Sequence, residues 1–277
     1  MNHKLLALDL DGTLLRRDGS VAPEDIDAIQ SARRRGVLVT LCTGRITTGT
    51  LPTAKLLSLD TTLICADGGL LACPRTGRTL EQTGISDAAA HRATLVTHEL
   101  GLAPFVFLPG EIHADVRGTP WLHYVRTWTP NVHVYDDLHR SERWKQSDPV
   151  AIVLAIGPQS AIQQARDQLT REHPEAIQTD AWRAGSSGDQ HVLMIRPYGV
   201  DKGVGLAKLA QSLNIAREDV CAVGDWLNDV PMFKFAGRSF VMGQSLELVR
   251  ASATDLLEAP AGSGGGVAEA ITRWLGE

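Results

Sequence analysis

The segment LLALDLDGTLL (5–15) places two carboxylates, Asp9 and Asp11, two positions apart at the end of an apolar run. Like charges at such short range raise the pKa of one carboxyl group or require a cation, so the pair suggests metal or acid–base chemistry. A simpler interpretation is that Asp11 and Gly12 form a turn where a strand ends. This segment alone favours neither interpretation.

Polar residues end two further apolar runs of the chain. Thr43-Gly44-Arg45 follows VLVTLC (37–42), and GDWLND (224–229) begins where VCAVG ends. Ligands of an open parallel sheet bind beyond the carboxyl ends of its strands. We therefore predict that three strands bring the following residues to one sheet edge: Asp9, Asp11, Thr43, Asp225, Asn228 and Asp229. Taken alone, GDWLND also fits a turn with a helix N-cap.

The acidic residues of this set predict a bound cation. Carboxylates gathered on one rim repel one another unless a cation neutralises them, and oxygen ligands without His or Cys favour Mg²⁺. We predict Mg²⁺ as the cofactor, with these ligands: Asp9, Asp11, Asp225 and Asp229.

The same residues suggest phosphoryl transfer through an aspartyl intermediate. Asp9 would attack phosphorus, while Asp11 would protonate the leaving alkoxide and later deprotonate the hydrolytic water. Lys202, within GVDKG, is a candidate for the compensating cation, although a lysine at a helix start is more often solvated. The predicted phosphate-binding residues are Thr43, Gly44, Lys202 and Asn228.

The elements that carry these residues follow from the hydrophobic pattern. Apolar runs alternate with amphipathic segments at both ends of the chain, which is typical of a parallel sheet; its third strand would be TTLICA (61–66). Pro23 opens the first helix, with Glu24 and Asp25 as its acidic first turn. The middle of the chain has more strands per helix, which indicates an α+β module. We predict two domains: an α/β core domain (1–83 and 191–277) and an inserted α+β domain (84–190).

Composition limits the classes of partner. The 277 residues are 43% hydrophobic and 21% charged, as in globular proteins, and no run of about 18 apolar residues occurs. The four cysteines are scattered, which suits a reducing compartment, and the chain starts without a signal-peptide pattern, so we expect a cytoplasmic protein. The net charge is -5 without a long basic block, which argues against nucleic acid or membrane partners.

Three histidines of the inserted domain recur every ten residues, at His113, His123 and His133. This spacing fits no compact metal motif. We therefore predict that these residues lie on separate strands.

With DLDGTLL, TGR, DKG and GDWLND in this order, the chain resembles the haloacid-dehalogenase-like hydrolase superfamily, in particular its Cof-type sugar-phosphatase branch. The resemblance spans nearly the whole chain. It implies an α/β fold, namely a Rossmann-like parallel-sheet core domain with an inserted α+β cap domain that closes over the site. The small phosphorylated metabolite that such enzymes hydrolyse would be the partner of this chain.

The resemblance also implies a role for each motif residue. The first Asp of the family motif is the nucleophile, the second is the acid/base, the Thr and Lys bind the phosphoryl group, and the late Asp binds Mg²⁺. Those roles fall on these residues: Asp9, Asp11, Thr43, Lys202 and Asp225. Family precedent adds the main-chain carbonyl of Asp11 as a ligand, supporting roles for Asn228 and Asp229, and Arg45 as a residue that orients substrate or a loop.

One motif departs from the family pattern. Relatives commonly have Asn-Gly after the third strand, whereas this chain has Asp67-Gly68-Gly69. An Asp at this position adds negative charge near an anionic ligand and would alter substrate preference or weaken phosphate binding. Asp67 and Gly68 are therefore possible substrate or loop residues, with a simple turn as the alternative.

The sequence thus predicts a Mg²⁺-dependent phosphatase that hydrolyses a sugar phosphate or similar monoester through an aspartyl-phosphate intermediate. A phosphomutase of the same superfamily shares this chemistry and stays an alternative. A phospho-accepting signalling domain is disfavoured, because it needs about half this length and no acid at the position of Asp11. A binding protein that has lost catalysis is disfavoured because all the proposed catalytic residues are present.

Overall fold

A computed structural model describes residues 3–145, 149–184 and 188–276. The β-strands are β1 (Leu5–Leu8), β2 (Leu38–Leu41), β3 (Leu63–Cys65), β4 (Leu70–Ala72), β5 (Thr79–Gln82), β6 (Ala103–Phe107), β7 (Ile112–Asp115), β8 (Val132–Tyr135), β9 (Ile152–Pro158), β10 (Ile177–Arg183), β11 (Gln190–Pro197), β12 (Val220–Gly224), β13 (Arg238–Val241) and β14 (Asp255–Leu256). The α-helices are α1 (Pro23–Arg34), α2 (Thr47–Leu56), α3 (Asp87–Glu99), α4 (Leu122–Val125), α5 (Gln159–Glu172), α6 (Lys202–Ser212), α7 (Val230–Phe235), α8 (Glu247–Arg250) and α9 (Gly266–Leu275).

The chain divides into two compact units. The core unit comprises Met1–Gly44, Thr50–Leu80 and Asp201–Glu277, and the inserted unit comprises Arg45–Gly49 and Glu81–Val200. The inserted unit extends past the predicted boundary at 190, because β11 stays paired with β9 and β10 up to its last residues.

The core unit is built on a five-stranded sheet with the order β14-β13-β12-β1-β2, in which all neighbouring strands are parallel. Every residue of β1 and β12 is buried. Non-alternating apolar strands such as LLAL are expected when both faces of a sheet are covered. The predicted mixed α/β fold with a parallel-sheet core is therefore confirmed.

The third strand is shorter than predicted and lies beside β2, which it joins through one bridge instead of a full ladder. Residues 63–65 of TTLICA form β3, which pairs antiparallel with β4 in a separate sheet of order β3-β4-β5. A single parallel bridge joins Cys42 to Ile64. The strand stops early because Ala66 and Asp67 adopt positive φ angles of 49° and 51°, which turn the chain back into β4.

Helix α1 begins at Pro23, as predicted, but Asp25 does more than complete an acidic first turn. Its buried carboxylate accepts hydrogen bonds of 2.8 Å from the backbone N–H groups of Gly265 and Ala268. These donors lie at the start of α9, so Asp25 caps a helix that is remote in sequence. Burial raises the pKa of Asp25, and these two hydrogen bonds oppose that shift.

The inserted unit has a six-stranded sheet of order β10-β11-β9-β6-β7-β8. Adjacent strands of this sheet are antiparallel, except that β7 and β8 are parallel. Helices α3 and α5 pack their apolar residues into one core with β6 and β9. The Ser86 side chain caps α3 by accepting a hydrogen bond from the Ala89 N–H group.

The three regularly spaced histidines do not converge on one point. His113 on β7 lies opposite His133 on the neighbouring strand β8, whereas His123 belongs to α4. The prediction of separate strands therefore holds for His113 and His133 but is wrong for His123. A local helix forms there because the chain turns between β7 and β8.

Two further observations concern the cysteines and the length and hydropathy of the helices. The four cysteines are free thiols, and three of them are buried. Within residues 3–145, 149–184 and 188–276, no helix is both long and apolar enough to cross a lipid bilayer.

Candidate active site

The register of three strands brings the first polar residues together. Leu8 of β1 pairs with Leu41 of β2 and with Val223 of β12. The pairing continues one residue further, because the Asp9 N–H group donates to the Val223 carbonyl at 3.0 Å. Asp9, Thr43 and Asp225 therefore follow the carboxyl ends of adjacent parallel strands, where ligands of such sheets bind.

Lys202 is the central cation of this site. It is the first residue of α6, and its buried Nζ donates hydrogen bonds of 2.6 Å to Asp9 Oδ1 and to Asp229 Oδ1. The Asp201 side chain caps the same helix by accepting from the Val204 N–H group at 2.8 Å. Lys202 is thus not the solvated lysine that its position at a helix start suggests.

Asp229 holds both the lysine and the loop around it. Its Oδ2 accepts hydrogen bonds from the backbone N–H groups of Asp225 (2.8 Å) and Trp226 (2.9 Å), while its Oδ1 faces Lys202. These contacts occupy three of the roughly four acceptor positions of a carboxylate. Asp229 therefore fixes the position of Asp225 relative to Lys202.

Thr13 is a site residue to which sequence analysis gave no role. Its Oγ1 donates a hydrogen bond of 3.0 Å to Asp225 Oδ1, although 212 positions separate the two residues. The signal was present in the motif DLDGTLL, but only the fold shows which partner the hydroxyl contacts. A Cβ atom at Gly12, where φ is +93°, would lie 2.4 Å from Asp225 Oδ2, so this approach requires glycine.

The charges of this cluster are unbalanced. Burial raises the pKa of Asp9 well above its usual range, and Asp229 and Asp225 add to this effect against the attraction of Lys202. Burial and the Asp229 carboxylate raise the pKa of Asp225 to about 7. Burial favours the neutral form of Lys202, but Asp229 and Asp9 outweigh it and raise the pKa of the ammonium. One cation thus faces three carboxylates.

The donor set fits a hard divalent cation. Asp9, Asp225 and Asp229 each offer a carboxylate oxygen, and these atoms lie within 4.8 Å of one another. An all-oxygen set suits Mg²⁺ and excludes the soft ligands that other metals prefer. A metal ion there would oppose the burial and the repulsion from Asp229 that raise the pKa of Asp225.

The loop after β3 provides a second carboxylate network. Asp67 is buried, its N–H group donates to the Thr43 carbonyl at 3.0 Å, and its Oδ1 accepts from Asn228 Nδ2 at 2.9 Å. A Cβ atom at Gly44 would lie 3.3 Å from Asp67 Oδ1. The structure therefore brings together four of the predicted residues, namely Thr43, Gly44, Asp67 and Asn228.

Gly68 contributes through packing. Its φ is +94°, and a Cβ atom there would lie 2.1 Å from the Asp201 carbonyl oxygen. This close approach sets the start of α6, which carries Lys202. The interpretation of Gly68 as a loop residue agrees with this geometry.

Two further predicted residues differ from these in exposure or in the unit to which they belong. Asp11 is exposed beyond the end of β1. Arg45 is grouped with the inserted unit, where its Nη1 donates to the Gly49 carbonyl at 3.3 Å.

Comparison with known proteins decides the family. The family model described as haloacid dehalogenase-like hydrolase matches residues 6–271. The chain belongs to this family. A 5-amino-6-(5-phospho-D-ribitylamino)uracil phosphatase of Bacillus subtilis (strain 168) is 30% identical, over 91% of each chain. An HMP-PP phosphatase of Klebsiella pneumoniae (strain 342) is 26% identical, over 98% of this chain and 96% of its own.

A solved structure supports the fold of this haloacid dehalogenase-like hydrolase. The crystal structure of a haloacid dehalogenase-like hydrolase from Bacteroides thetaiotaomicron superposes with a TM-score of 0.84 and 24% identity, covering 98% of this chain and 99% of the other. The predicted family and hydrolase class are thus confirmed, and both relatives above are named as phosphatases.

The charge imbalance predicts how stability depends on pH in metal-free protein. The pKa of Asp225 is about 7 in the folded state, against about 4 when unfolded. A raised folded pKa gives stability that is present below the unfolded value and lost as pH rises through the folded value. In chelator, the free energy of unfolding should therefore fall between about pH 4 and pH 8, by roughly 2–4 kcal/mol from this group.

Urea denaturation of Asp225→Asn tests this assignment. The amide stays neutral and still accepts from Thr13 Oγ1, so we expect a flatter pH profile and higher stability than wild type at about pH 8. Asp27→Asn, at an exposed position of α1, is the matched control and should follow wild type. Parallel profiles for wild type and Asp225→Asn would contradict the assignment.

Proposed function

We propose that this protein is a cytoplasmic Mg²⁺-dependent phosphatase that hydrolyses a small phosphorylated metabolite through an aspartyl-phosphate on Asp9. The observation that carries the proposal is the buried Lys202 ammonium, 2.6 Å from both Asp9 and Asp229. The names of the two relatives, both phosphatases of small metabolites, support the substrate class. The free cysteines fit a reducing compartment.

Asp9 would be the nucleophile. One of its oxygens accepts the hydrogen bond from Lys202, which leaves the other to attack phosphorus. A nucleophilic carboxylate must be deprotonated, and the ammonium opposes the effect of burial on the pKa of Asp9. As the Asp9–phosphorus bond forms, the bond from phosphorus to the leaving alkoxide breaks.

Asp11 would move the proton in both half-reactions. It donates a proton to the leaving alkoxide in the first step. In the second step it takes a proton from the water that attacks phosphorus, which releases phosphate and regenerates the Asp9 carboxylate. Its exposed position leaves room for the leaving group and for water.

Asp9, Asp225 and the main-chain carbonyl of Asp11 would hold Mg²⁺. When bound, Mg²⁺ neutralises charge on the phosphoryl oxygens. Asp229, predicted as a ligand, would act mainly by positioning Lys202 and the backbone at Asp225, because its oxygens already accept three hydrogen bonds.

The phosphoryl group would be bound by Thr43, Gly44 and Lys202, with Asn228 fixed by Asp67. The inserted unit, predicted as residues 84–190 and delimited in the structure as Arg45–Gly49 and Glu81–Val200, would form the cap domain that selects the rest of the substrate, with Arg45 as an orienting residue. Sugar phosphates are the first class to test.

The decisive variant is Asp9→Asn. We expect phosphate release from a panel of sugar phosphates, nucleotides and phosphorylated cofactors to require Mg²⁺, to stop with chelator and to fall at least about 10⁴-fold in the variant, because an amide is no nucleophile. Asp18→Asn, at an exposed position of the same unit, should keep wild-type rates. Substantial release by Asp9→Asn would refute the nucleophile. Transfer of phosphate to a second substrate hydroxyl instead of water would indicate a mutase.

The acid role of Asp11 predicts a dependence on the leaving group. Asp11→Asn should lower turnover of alkyl phosphates by about 10²–10⁴-fold, since an alkoxide needs a proton to leave. Aryl phosphates, whose leaving groups need little protonation, should lose much less. Steady-state rates with matched alkyl and aryl esters measure the difference, and equal losses would rule out the acid role.

Asp67 allows a test of the departure from the family pattern. Asp67→Asn keeps an oxygen for Asn228 but removes a buried negative charge near Lys202, so inorganic phosphate should bind about threefold to tenfold more tightly. Asp67→Leu removes both the charge and the hydrogen-bond acceptor, so comparison of the two variants separates the effect of the charge from the effect of the hydrogen bond. Isothermal titration with phosphate measures both variants. Weaker binding to Asp67→Asn would show that the charge itself supports the site.

A further inference from the structure

A second group of potential metal ligands lies wholly within the inserted unit. His98 belongs to the last turn of α3, while Asp137 and His139 flank Leu138 in a short helical turn after β8. One potential ligand atom from each of the three residues lies within 4.8 Å of the others. We call His98, Asp137 and His139 the histidine–aspartate cluster.

The ligand atoms of this cluster are shielded and unsatisfied. Nδ1 of His98, Oδ1 of Asp137 and Nδ1 of His139 each expose less than 1 Å² to solvent, and none has a hydrogen-bond partner in the described structure. Asp137 Oδ1 lies 2.5 Å from His139 Nδ1, without hydrogen-bond geometry. Buried polar atoms without partners are costly, so each such group in a folded protein requires an explanation, such as an ion.

We propose that the histidine–aspartate cluster binds a divalent transition metal ion of the Zn²⁺ type. Two imidazole nitrogens and one carboxylate oxygen form the three-ligand set that Zn²⁺ accepts, with water or a fourth residue completing the tetrahedron. Asp115 offers a further carboxylate, with its buried Oδ2 3.6 Å from His98 Nδ1. The carboxylate-only site of the core unit, in contrast, suits a hard cation.

The other histidine group of the same unit serves as an internal comparison. His113 contacts Glu111 at 2.7 Å through Nε2 and Tyr135 at 2.8 Å through Nδ1, while His133 Nε2 contacts Glu111 at 2.9 Å. These nitrogens already have partners. A metal ion there would have to replace good hydrogen bonds, whereas in the histidine–aspartate cluster it would coordinate atoms that make no hydrogen bond.

Arg117 and His91 surround the cluster. Arg117 Nη1 donates to the His98 carbonyl at 2.6 Å, and its Nη2 lies 3.3 Å from His98 Nε2. Metal binding at Nδ1 requires the proton of a neutral His98 on Nε2, so the exposed guanidinium must turn away from that atom. His91 Nε2 contacts the His139 carbonyl at 2.8 Å and helps to hold that turn.

A metal ion here would cross-link the end of α3 to the chain segment after β8. Residues 98 and 137 are distant in sequence, so the ion would close a long loop within one folding unit. The expected role is therefore stabilisation of the inserted unit, and it does not depend on the phosphatase proposal.

Zn²⁺ titration of the full chain tests the site. Saturating Mg²⁺ is included so that the carboxylates of the core unit do not take up Zn²⁺. We expect one Zn²⁺ per wild-type chain, with binding at least about tenfold weaker in His98→Gln and in His139→Gln, since loss of even an outer-shell partner weakens binding by that factor. His133→Gln is the matched control and should bind Zn²⁺ as wild type does. Arg117→Gln should bind more tightly.

Thermal unfolding gives a second readout with its own control. Ligand that binds only the folded state raises the unfolding temperature, so Zn²⁺ should stabilise wild type and His133→Gln but not the cluster variants. If circular dichroism shows that a histidine variant is unfolded, Asp137→Asn, which keeps the side-chain shape, is used in its place. Wild-type Zn²⁺ affinity in the cluster variants, or no binding by wild type, would overturn the proposal.

Discussion

One buried ammonium among three carboxylates is the interaction on which the candidate site depends. Lys202 contacts Asp9 and Asp229 directly, and a carboxylate oxygen of Asp225 lies within 4.8 Å of one from each of these two residues. Burying charge costs several kcal/mol per ion unless partners compensate, and here the ion pairs and the hydrogen bonds to Asp229 and Asp225 provide that compensation. Burial and the neighbouring carboxylates raise the pKa of Asp9 and Asp225, and a divalent cation bound there would oppose both effects.

The backbone around Lys202 is arranged to permit this pairing. The Lys202 helix starts against Gly68, where the Asp201 carbonyl leaves no room for a Cβ atom. At the other end of the interaction, Asp229 accepts hydrogen bonds from the N–H groups of Asp225 and Trp226, so the loop that carries Asp225 is tied to the residue that holds the lysine. A substitution at Gly68 or Asp229 would displace the charged groups of the site as well as alter packing. Small residues and backbone contacts are therefore important here.

Sequence could predict the parts of this site that depend on local pattern. Asp9, Thr43 and Asp225 end apolar runs, and parallel strand ends must share an edge, so their convergence followed from periodicity. Lys202 was a candidate cation from its place in GVDKG, but a lysine at a helix start has the same local signal whether it is solvated or buried, so the family resemblance was needed to support it. Thr13 and Asp25 act on partners more than two hundred residues away, which no local pattern encodes. The strand predicted at 61–66 is shorter in the structure, because positive φ angles at Ala66 and Asp67 end it.

The histidines of the inserted unit also show how little sequence spacing predicts about contacts in the fold. The regular spacing of His113, His123 and His133 attracts attention in the sequence, yet two of these residues are satisfied by Glu111 and the third lies on a separate helix. The positions of His98 and His139 in the sequence do not suggest a common site. His98 lies in the last turn of α3, whereas His139 lies in the short helical turn after β8. Their convergence is a consequence of how α3 packs on the sheet of this unit. A candidate metal site of this kind is therefore recognised from buried polar atoms that lack hydrogen-bond partners, because the spacing of residues along the chain does not reveal it.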